Sequence, residues 1–354
     1  MKEIDGLFYK AIEDMVFPSA SLLVFEKEKI LYQNIYGSFT YEDKRPVDKE
    51  SLYDIASLTK PLVVSLLLAF LYQMDEIDLE DELGFYFKEY KKPEKLGITI
   101  REMLNHRSGL PSYREYFKEI PEDRWGLPIA RDVIIRNVLN ENIENRGKTV
   151  YSDIDFIILG YLIEIVTTTC LREFFIESIA KPLALRSSDF CGNQQFRKED
   201  RMVPVSENYI GVDDENSRAM GGIAGHSGLF STVDEVHKIL LEVFNSYNNK
   251  DFRIFKPPVM REVLKKSNDF QSGLFRGGFD TPLLEGSQYG DYFLGETIAH
   301  LGFTGTSFAI DLNSGFGIIL FTNRVCPDRT NMKIREFRRL IHNTLCQIFY
   351  HIEG

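Results

Sequence analysis

The stretch Pro61-Leu-Val-Val-Ser-Leu-Leu-Leu-Ala-Phe-Leu71 carries no charge at any position, so it is a buried segment. Directly before it stands Ser57-Leu-Thr-Lys60. A helix over residues 57–74 places Ser57 in its first turn and Lys60 three residues on, over the same face. Hydroxyl and amine then lie side by side at the positive end of a helix dipole. Burial and dipole both disfavour a protonated amine, so a neutral Lys60 is expected to take the proton of Ser57. That makes a nucleophile from serine without histidine.

The surrounding chain suits such a site. Its 354 residues, 44% hydrophobic and 27% charged, fit a single globular domain of residues 1–354. A net charge of −11, with no basic stripe or arm, argues against nucleic acid or an anionic membrane as partner. Cys170, Cys191, Cys326 and Cys346 form no C-x-x-C and read as reduced and structural. H-E-x-x-H and tight histidine clusters are absent, so neither metal nor cofactor is expected. No run reaches membrane-spanning length, so no span is expected. The first ten residues lack a signal peptide's apolar core, which favours a soluble, cytoplasmic protein. A leader already removed would leave the same N-terminus and a periplasmic or extracellular protein. Nothing in the sequence speaks to oligomeric state.

Periodicity supplies the elements. Ile4, Leu7, Phe8, Ile12 and Met15 make an amphipathic helix over residues 3–16. Residues 21–25 and 30–36 flank a charged tip and read as a hairpin ended by Gly37. Thr99-Ile-Arg-Glu102 and Thr232-Val-Asp-Glu235 are capping boxes opening helices. Ser152 or Asp153 caps a helix from Ile154 to about Thr168 that is apolar nearly all round and therefore central. Residues 297–304, 306–312 and 316–322 read as strands parted by turn signals, and a helix over 332–350 closes the chain. The fold class is α+β: an antiparallel sheet built from both termini and flanked by helices (lobe 1, residues 1–74 and 211–354), with a mostly helical lobe 2, residues 75–210. The site is expected in the cleft between the lobes.

Two further elements bear chemistry. Tyr151-Ser-Asp153 precedes the central helix, and a cation such as Lys60 would ready the Tyr151 phenol for base work. In His300-Leu-Gly302, the glycine lets substrate lie against the strand, with the Phe303 and Ser57 amides aimed at an oxyanion.

In this order the three elements resemble the serine β-lactamase and penicillin-binding-protein superfamily: S-x-x-K, then Y-x-N or S-D-N, then K-T-G or H-x-G. The closer likeness is to its class C-like branch of β-lactamases, D-alanyl-D-alanine peptidases, D-aminopeptidases and esterases. Phe17-Pro18, Leu104-Asn-His-Arg-Ser-Gly-Leu-Pro111, the glycine-dense loop 221–231 and Leu320-Phe-Thr-Asn323 are similar to that branch too. The resemblance implies a nucleophile at Ser57, a proton network through Lys60, and a general acid–base at Tyr151. It implies an oxyanion hole from the Ser57 and Phe303 amides and an acyl-enzyme cleared by water. Substrates would be small esters, amides, β-lactams or peptidoglycan fragments. A non-catalytic protein holding a cell-wall fragment is the alternative of another class.

The chain departs from the pattern twice. Asp153 stands where the family has asparagine, and a carboxylate beside Lys60 favours the charged lysine and shifts the base role to Tyr151. His300 replaces the third-motif lysine, removing a cation that would hold a substrate carboxylate. Neutral esters or amides are therefore expected to turn over better than carboxylated β-lactams. Ser178-Ile-Ala-Lys181 repeats the first motif, but it ends a helix, and Pro182 is expected to push Lys181 out of helical geometry. His106 and His226 are expected to hold the loops 108–111 and 221–228. The aromatic segment from Tyr113 to Trp125 reads equally as a wall of the cleft or as an ordinary surface loop.

Overall fold

The two ends of the chain meet in one sheet in the computed structural model, which describes residues 1–88, 92–191, 199–267 and 274–350. Helix α1 (Lys2–Glu13) leads into the expected hairpin, β1 (Ser19–Glu26) and β2 (Lys29–Gly37). Short strands follow at β3 (Tyr53–Asp54), β4 (Asp189–Phe190) and β5 (Leu229–Ser231). The chain ends with β6 (Thr297–Leu301), β7 (Ser307–Asp311) and β8 (Phe316–Thr322). The main sheet runs β2-β1-β8-β7-β6, antiparallel throughout, with Leu22 opposite Leu320.

Both faces of that sheet are covered, which is why its inner strands read as continuous apolar runs. Leu22, Val24, Ile318 and Leu320 point to one face, against α1 and the last helix, Ile334–Phe349. There Phe8 stacks on Tyr36 and meets Phe337 edge-on, with centroids 5.1 Å apart. Leu23, Phe25, Ile319 and Phe321 point to the other face, into the large core. That core holds the buried apolar stretch 61–71 and the central helix Asp153–Thr167. A second sheet, β3-β5-β4, has no counterpart in the sequence expectations. Strands of two or three residues leave no periodicity to read.

Several expectations need correction. Ala56–Gln73 does have the length and apolarity of a membrane span, but 78% of that window is buried inside the protein. Thr232 accepts from the Glu235 amide at 3.3 Å, but Glu235 does not close a capping box. Its carboxylate takes the amides of Arg186, Ser187 and Ser188, tying the segment before β4 to this helix. The Thr99 box is complete. Lys181 keeps helical angles despite Pro182, and its amine reaches Glu177 on the exposed face, away from buried Ser178. The four cysteines are free.

Candidate active site

The segment carrying Ser57 is not the single α-helix its sequence suggests. Ala56 takes a positive φ of 48°, Ala56–Leu58 is a 3-10 turn, and Lys60–Ser65 is a π-helix. Only Leu66–Gln73 is regular α-helix. Tertiary hydrogen bonds hold this turn. The Asp54 carboxylate accepts from the amides of Ala56 and Asp213, each at 2.8 Å. Thr304 and Thr306 donate their hydroxyls to the carbonyls of Asp54 (2.7 Å) and Ile55 (3.0 Å). Left-handed backbone at a non-glycine residue costs about 1–2 kcal/mol, and these bonds hold it in place. The result lifts Ser57 to the floor of the cleft while Leu58, Thr59 and Lys60 stay buried.

The three-residue spacing still brings Lys60 Nζ to 3.0 Å from Ser57 Oγ. Every neighbour of that amine is an acceptor. Asp153 Oδ1 lies at 2.7 Å, the His226 carbonyl at 3.2 Å, and the Tyr151 phenol is also hydrogen-bonded to it. Burial pulls Lys60 toward the neutral amine, but the Asp153 charge and Tyr151 outweigh it, and its pKa lies above the ordinary lysine value. The resting group is an ammonium, so the neutral Lys60 expected from burial and dipole alone is corrected by Asp153.

Tyr151 hydrogen-bonds both Ser57 and Lys60. Burial pushes its phenol above the usual value, against the pull of the Lys60 charge, so it rests neutral. Its ring is set by neighbours: His106 at 4.7 Å between centroids, Phe275 at 5.7 Å and His300 at 6.0 Å. Ser152 caps the central helix through the Asp155 amide, and its own amide donates to His106 Nδ1 at 3.0 Å. His106 therefore packs against the Tyr151 ring as well as fixing its loop.

His300 lies in β6, buried at 2% exposure and facing the cleft. Burial, then the Lys60 charge, push its pKa down to about 3, so the ring is neutral. A hydrogen bond to the Leu301 carbonyl at 3.0 Å assigns its proton to Nδ1. Nε2 is then an acceptor, with no partner among the described residues. Gly302 borders the cleft, and packing gives a further reason for a glycine there. A Cβ there would fall 2.0 Å from Thr306 Oγ1 and 2.8 Å from the Ile55 carbonyl. The glycine lets β6 press against the turn that presents Ser57. Phe303 is 47% exposed beside it, its carbonyl held by Arg324 Nε at 2.6 Å. Ser57 and Phe303 both border the cleft.

The cleft encloses about 660 Å³. Tyr113, Glu115 and Phe117 line one side, while Trp125 packs behind Phe117. The first half of the aromatic segment is thus wall and its end is support. His226 was expected only to hold its loop. It also offers its carbonyl to Lys60, and its ring meets Asp214 at 2.8 Å on the cleft surface. No local pattern announces that pairing, since the partners are joined only by the folded loop. Gly225 permits it by lying against Gly160 of the central helix, where a Cβ would fall 2.0 Å from the Phe156 carbonyl.

Ser57, Lys60, Tyr151, Asp153, His300, Gly302 and Phe303 therefore gather around one cleft. A serine hydroxyl held by a buried ammonium and a phenol at the floor of a cleft is the arrangement of a serine acyl-transfer enzyme. The Beta-lactamase family model matches residues 4–343, and the chain belongs to that family. A chain from Escherichia coli (strain K12), provisionally named a D-alanyl-D-alanine carboxypeptidase, is 23% identical, over 88% of this chain and 79% of its own. An N-acetylmuramyl-L-alanine amidase of Bacillus subtilis (strain 168) is 26% identical, over 87% of this chain and 77% of its own. Among solved structures, EstCE1, a hydrolase with promiscuous acyltransferase activity, superposes with a TM-score of 0.76. It is 17% identical, with 97% of this chain and 98% of that one covered.

Proposed function

We propose that the protein hydrolyses a small ester or amide through an acyl-enzyme on Ser57. In the reactive ionisation, the Lys60–Tyr151 pair holds one proton fewer than at rest, as Tyr151 phenolate beside Lys60 ammonium. Ser57 Oγ attacks the substrate carbonyl and its proton passes to the Tyr151 oxygen. The Ser57 and Phe303 amides receive the oxyanion. As the intermediate collapses, Tyr151 gives that proton to the leaving oxygen or nitrogen, regenerating the phenolate. Water attacks the acyl group by the same route and frees Ser57 as the carboxylic acid leaves.

The observation that carries this reading is the contact of Ser57 Oγ with Lys60 Nζ at 3.0 Å and with Tyr151, at the open floor of the cleft. A fluorophosphonate or a fluorescent penicillin should label the folded protein at Ser57, and Ser57→Ala should abolish the label. Absence of label, or equal labelling of the variant, overturns the reading in favour of a non-catalytic cell-wall-fragment binder. The name of the Escherichia coli relative favours a second reading within the same chemistry, a D-alanyl-D-alanine carboxypeptidase, beside which a β-lactamase or a D-aminopeptidase would use the same site. Nitrocefin, D-alanyl-D-alanine peptides and p-nitrophenyl esters, compared by kcat/KM, separate these.

A further inference from the structure

Two of the groups that hold Lys60, Asp153 and Tyr151, stand where the chain enters the central helix. A third, the His226 carbonyl at 3.2 Å, comes from a loop with glycines at 221, 222, 225 and 228. Glycine loses more conformational freedom on ordering than any other residue. A carbonyl in such a loop stays on Lys60 only if something fixes it. That anchor is Asp214, the N-cap of the short helix Glu215–Ala219. Its Oδ1 accepts from the Ser217 amide at 2.7 Å and meets Nε2 of the His226 ring at 2.8 Å. A carboxylate only accepts, so Nε2 carries the proton. The Ser217 hydroxyl in turn donates to the Ser227 carbonyl at 3.2 Å. Asp214, Ser217, Ser227 and His226 thus close a hydrogen-bonded ring in the backbone that faces Lys60.

Lys60 also lies in the field of this carboxylate. Burial opposes the ionised Asp214, but the His226 ring, the Ser217 amide and the Lys60 charge outweigh it, and its pKa lies below the ordinary value. The guanidinium of this wall, Arg329, is paired with Asp213 and Glu215 instead. Tyr113 and Asp54 are the other titratable groups that Asp214 acts on. Around Lys60, His106 and His300 are buried and neutral, so the negative charge comes from Asp153 directly and from Asp214 behind His226.

We infer that Asp214 and His226 form a positioning dyad for acyl transfer: the hydrogen bond between them pins the His226 carbonyl on Lys60 and holds the ammonium beside Ser57 and Tyr151. The dyad acts through Lys60 and not on the reacting atoms. A charge-assisted bond between ring and carboxylate suits this task, because it fixes a flexible loop by one directed contact. The inference rests on the acyl-enzyme reading for the reaction, but the hold on Lys60 does not depend on turnover.

The test follows two quantities. Ser57 acylation is read by p-nitrophenyl acetate turnover and fluorophosphonate labelling, and Lys60 ionisation by the NMR shift of its Cε in carbon-labelled protein titrated upward from pH 7. His226→Ala and Asp214→Ala should each lower kcat about tenfold or more, with KM changed less than about twofold. In both, Lys60 should titrate at least about half a pH unit below the wild type. His226→Gln keeps a donor and Asp214→Asn an acceptor at those places, so each should restore most of kcat. Asp214→Asn still removes the charge, and its Lys60 should also titrate below the wild type. A loss of kcat with the Lys60 titration unmoved makes the pair a loop fastening only and overturns the inference, as does wild-type kcat in either alanine variant. If both alanine variants misfold, the near-isosteric Asp214→Asn decides, and a Lys60 midpoint equal to the wild type overturns the inference. Absence of Ser57 labelling in the wild type, with Lys60 still moved by Asp214→Asn, would instead overturn the acyl-enzyme reading alone.

Discussion

Replacing Asp153 tests how the site holds its charge. Lys60 is fully buried and lies 2.7 Å from Asp153 Oδ1, whose side chain is 18% exposed. Unit charges about 4 Å apart at an effective dielectric of 20 interact by about 4 kcal/mol. Breaking a buried pair by removing one partner costs about 3–5 kcal/mol by mutational experience, in agreement. Asp153→Ala should therefore destabilise the protein by about 4 kcal/mol at pH 7. Asp153→Asn keeps an oxygen for Lys60, and a hydrogen bond to a charged group returns about 1.5–3 kcal/mol, leaving a penalty of about 2 kcal/mol. In the wild type, the raised Lys60 pKa gives stability that is full below the unfolded lysine value. It is lost only as pH rises through the folded value. Without Asp153, burial dominates and the shift reverses. The unfolded variant then binds more protons than the folded one, so its stability rises with pH. Urea unfolding at pH 6, 7.5 and 9 should show the penalty of both variants shrinking as pH rises. A penalty independent of pH would refute the claim that Asp153 acts by holding Lys60 charged.

Four other outcomes follow from the geometry. Because Lys60 and Tyr151 both rest protonated, kcat/KM for a p-nitrophenyl ester should climb about tenfold per pH unit from pH 6 to 8; a plateau beginning below pH 7 contradicts this. Tyr151→Phe removes the proton carrier but keeps the ring among His106, Phe275 and His300, so kcat should fall by about 10²–10⁴ with the unfolding midpoint little changed. Gly302→Ala places a Cβ against Thr306 Oγ1 and the rigid Ile55 carbonyl, which should cost about 1–3 kcal/mol and slow acylation of Ser57 by the labelling probe. His342 is buried and neutral, with its pKa pushed down to about 3 by burial and Arg338. The unfolded ring binds a proton the folded one refuses, so wild type should lose about 2 kcal/mol from this group between pH 7 and 5. His342→Phe should not lose it, and parallel pH dependence of the two proteins would refute the assignment.

Order along the chain made much of this protein legible. The S-x-x-K pair, the Tyr151–Asp153 triplet and the His300–Gly302 strand are short local patterns. They resemble one superfamily when taken in sequence, and the antiparallel sheet follows from short apolar runs parted by turn signals near the chain's two ends. Asp153 even announced the charged state of Lys60, because a carboxylate in place of an amide changes the electrostatics whatever the detailed geometry. What lay beyond reach was whatever depends on contacts between distant segments. The positive φ at Ala56 is held by hydrogen bonds that Thr304, Thr306 and Asp213 bring to Asp54 and Ile55 from more than 150 residues away. Propensity has no term for them. Gly302 reads as an opening for substrate, and the Ile55 carbonyl that also demands a glycine there is set beside it only by folding. Arg338 on an amphipathic helix reads as one more surface charge. Its burial at the cleft, with no carboxylate partner among the described residues, is set by where the helix packs, since charge is local to sequence and solvation is a property of the assembled fold.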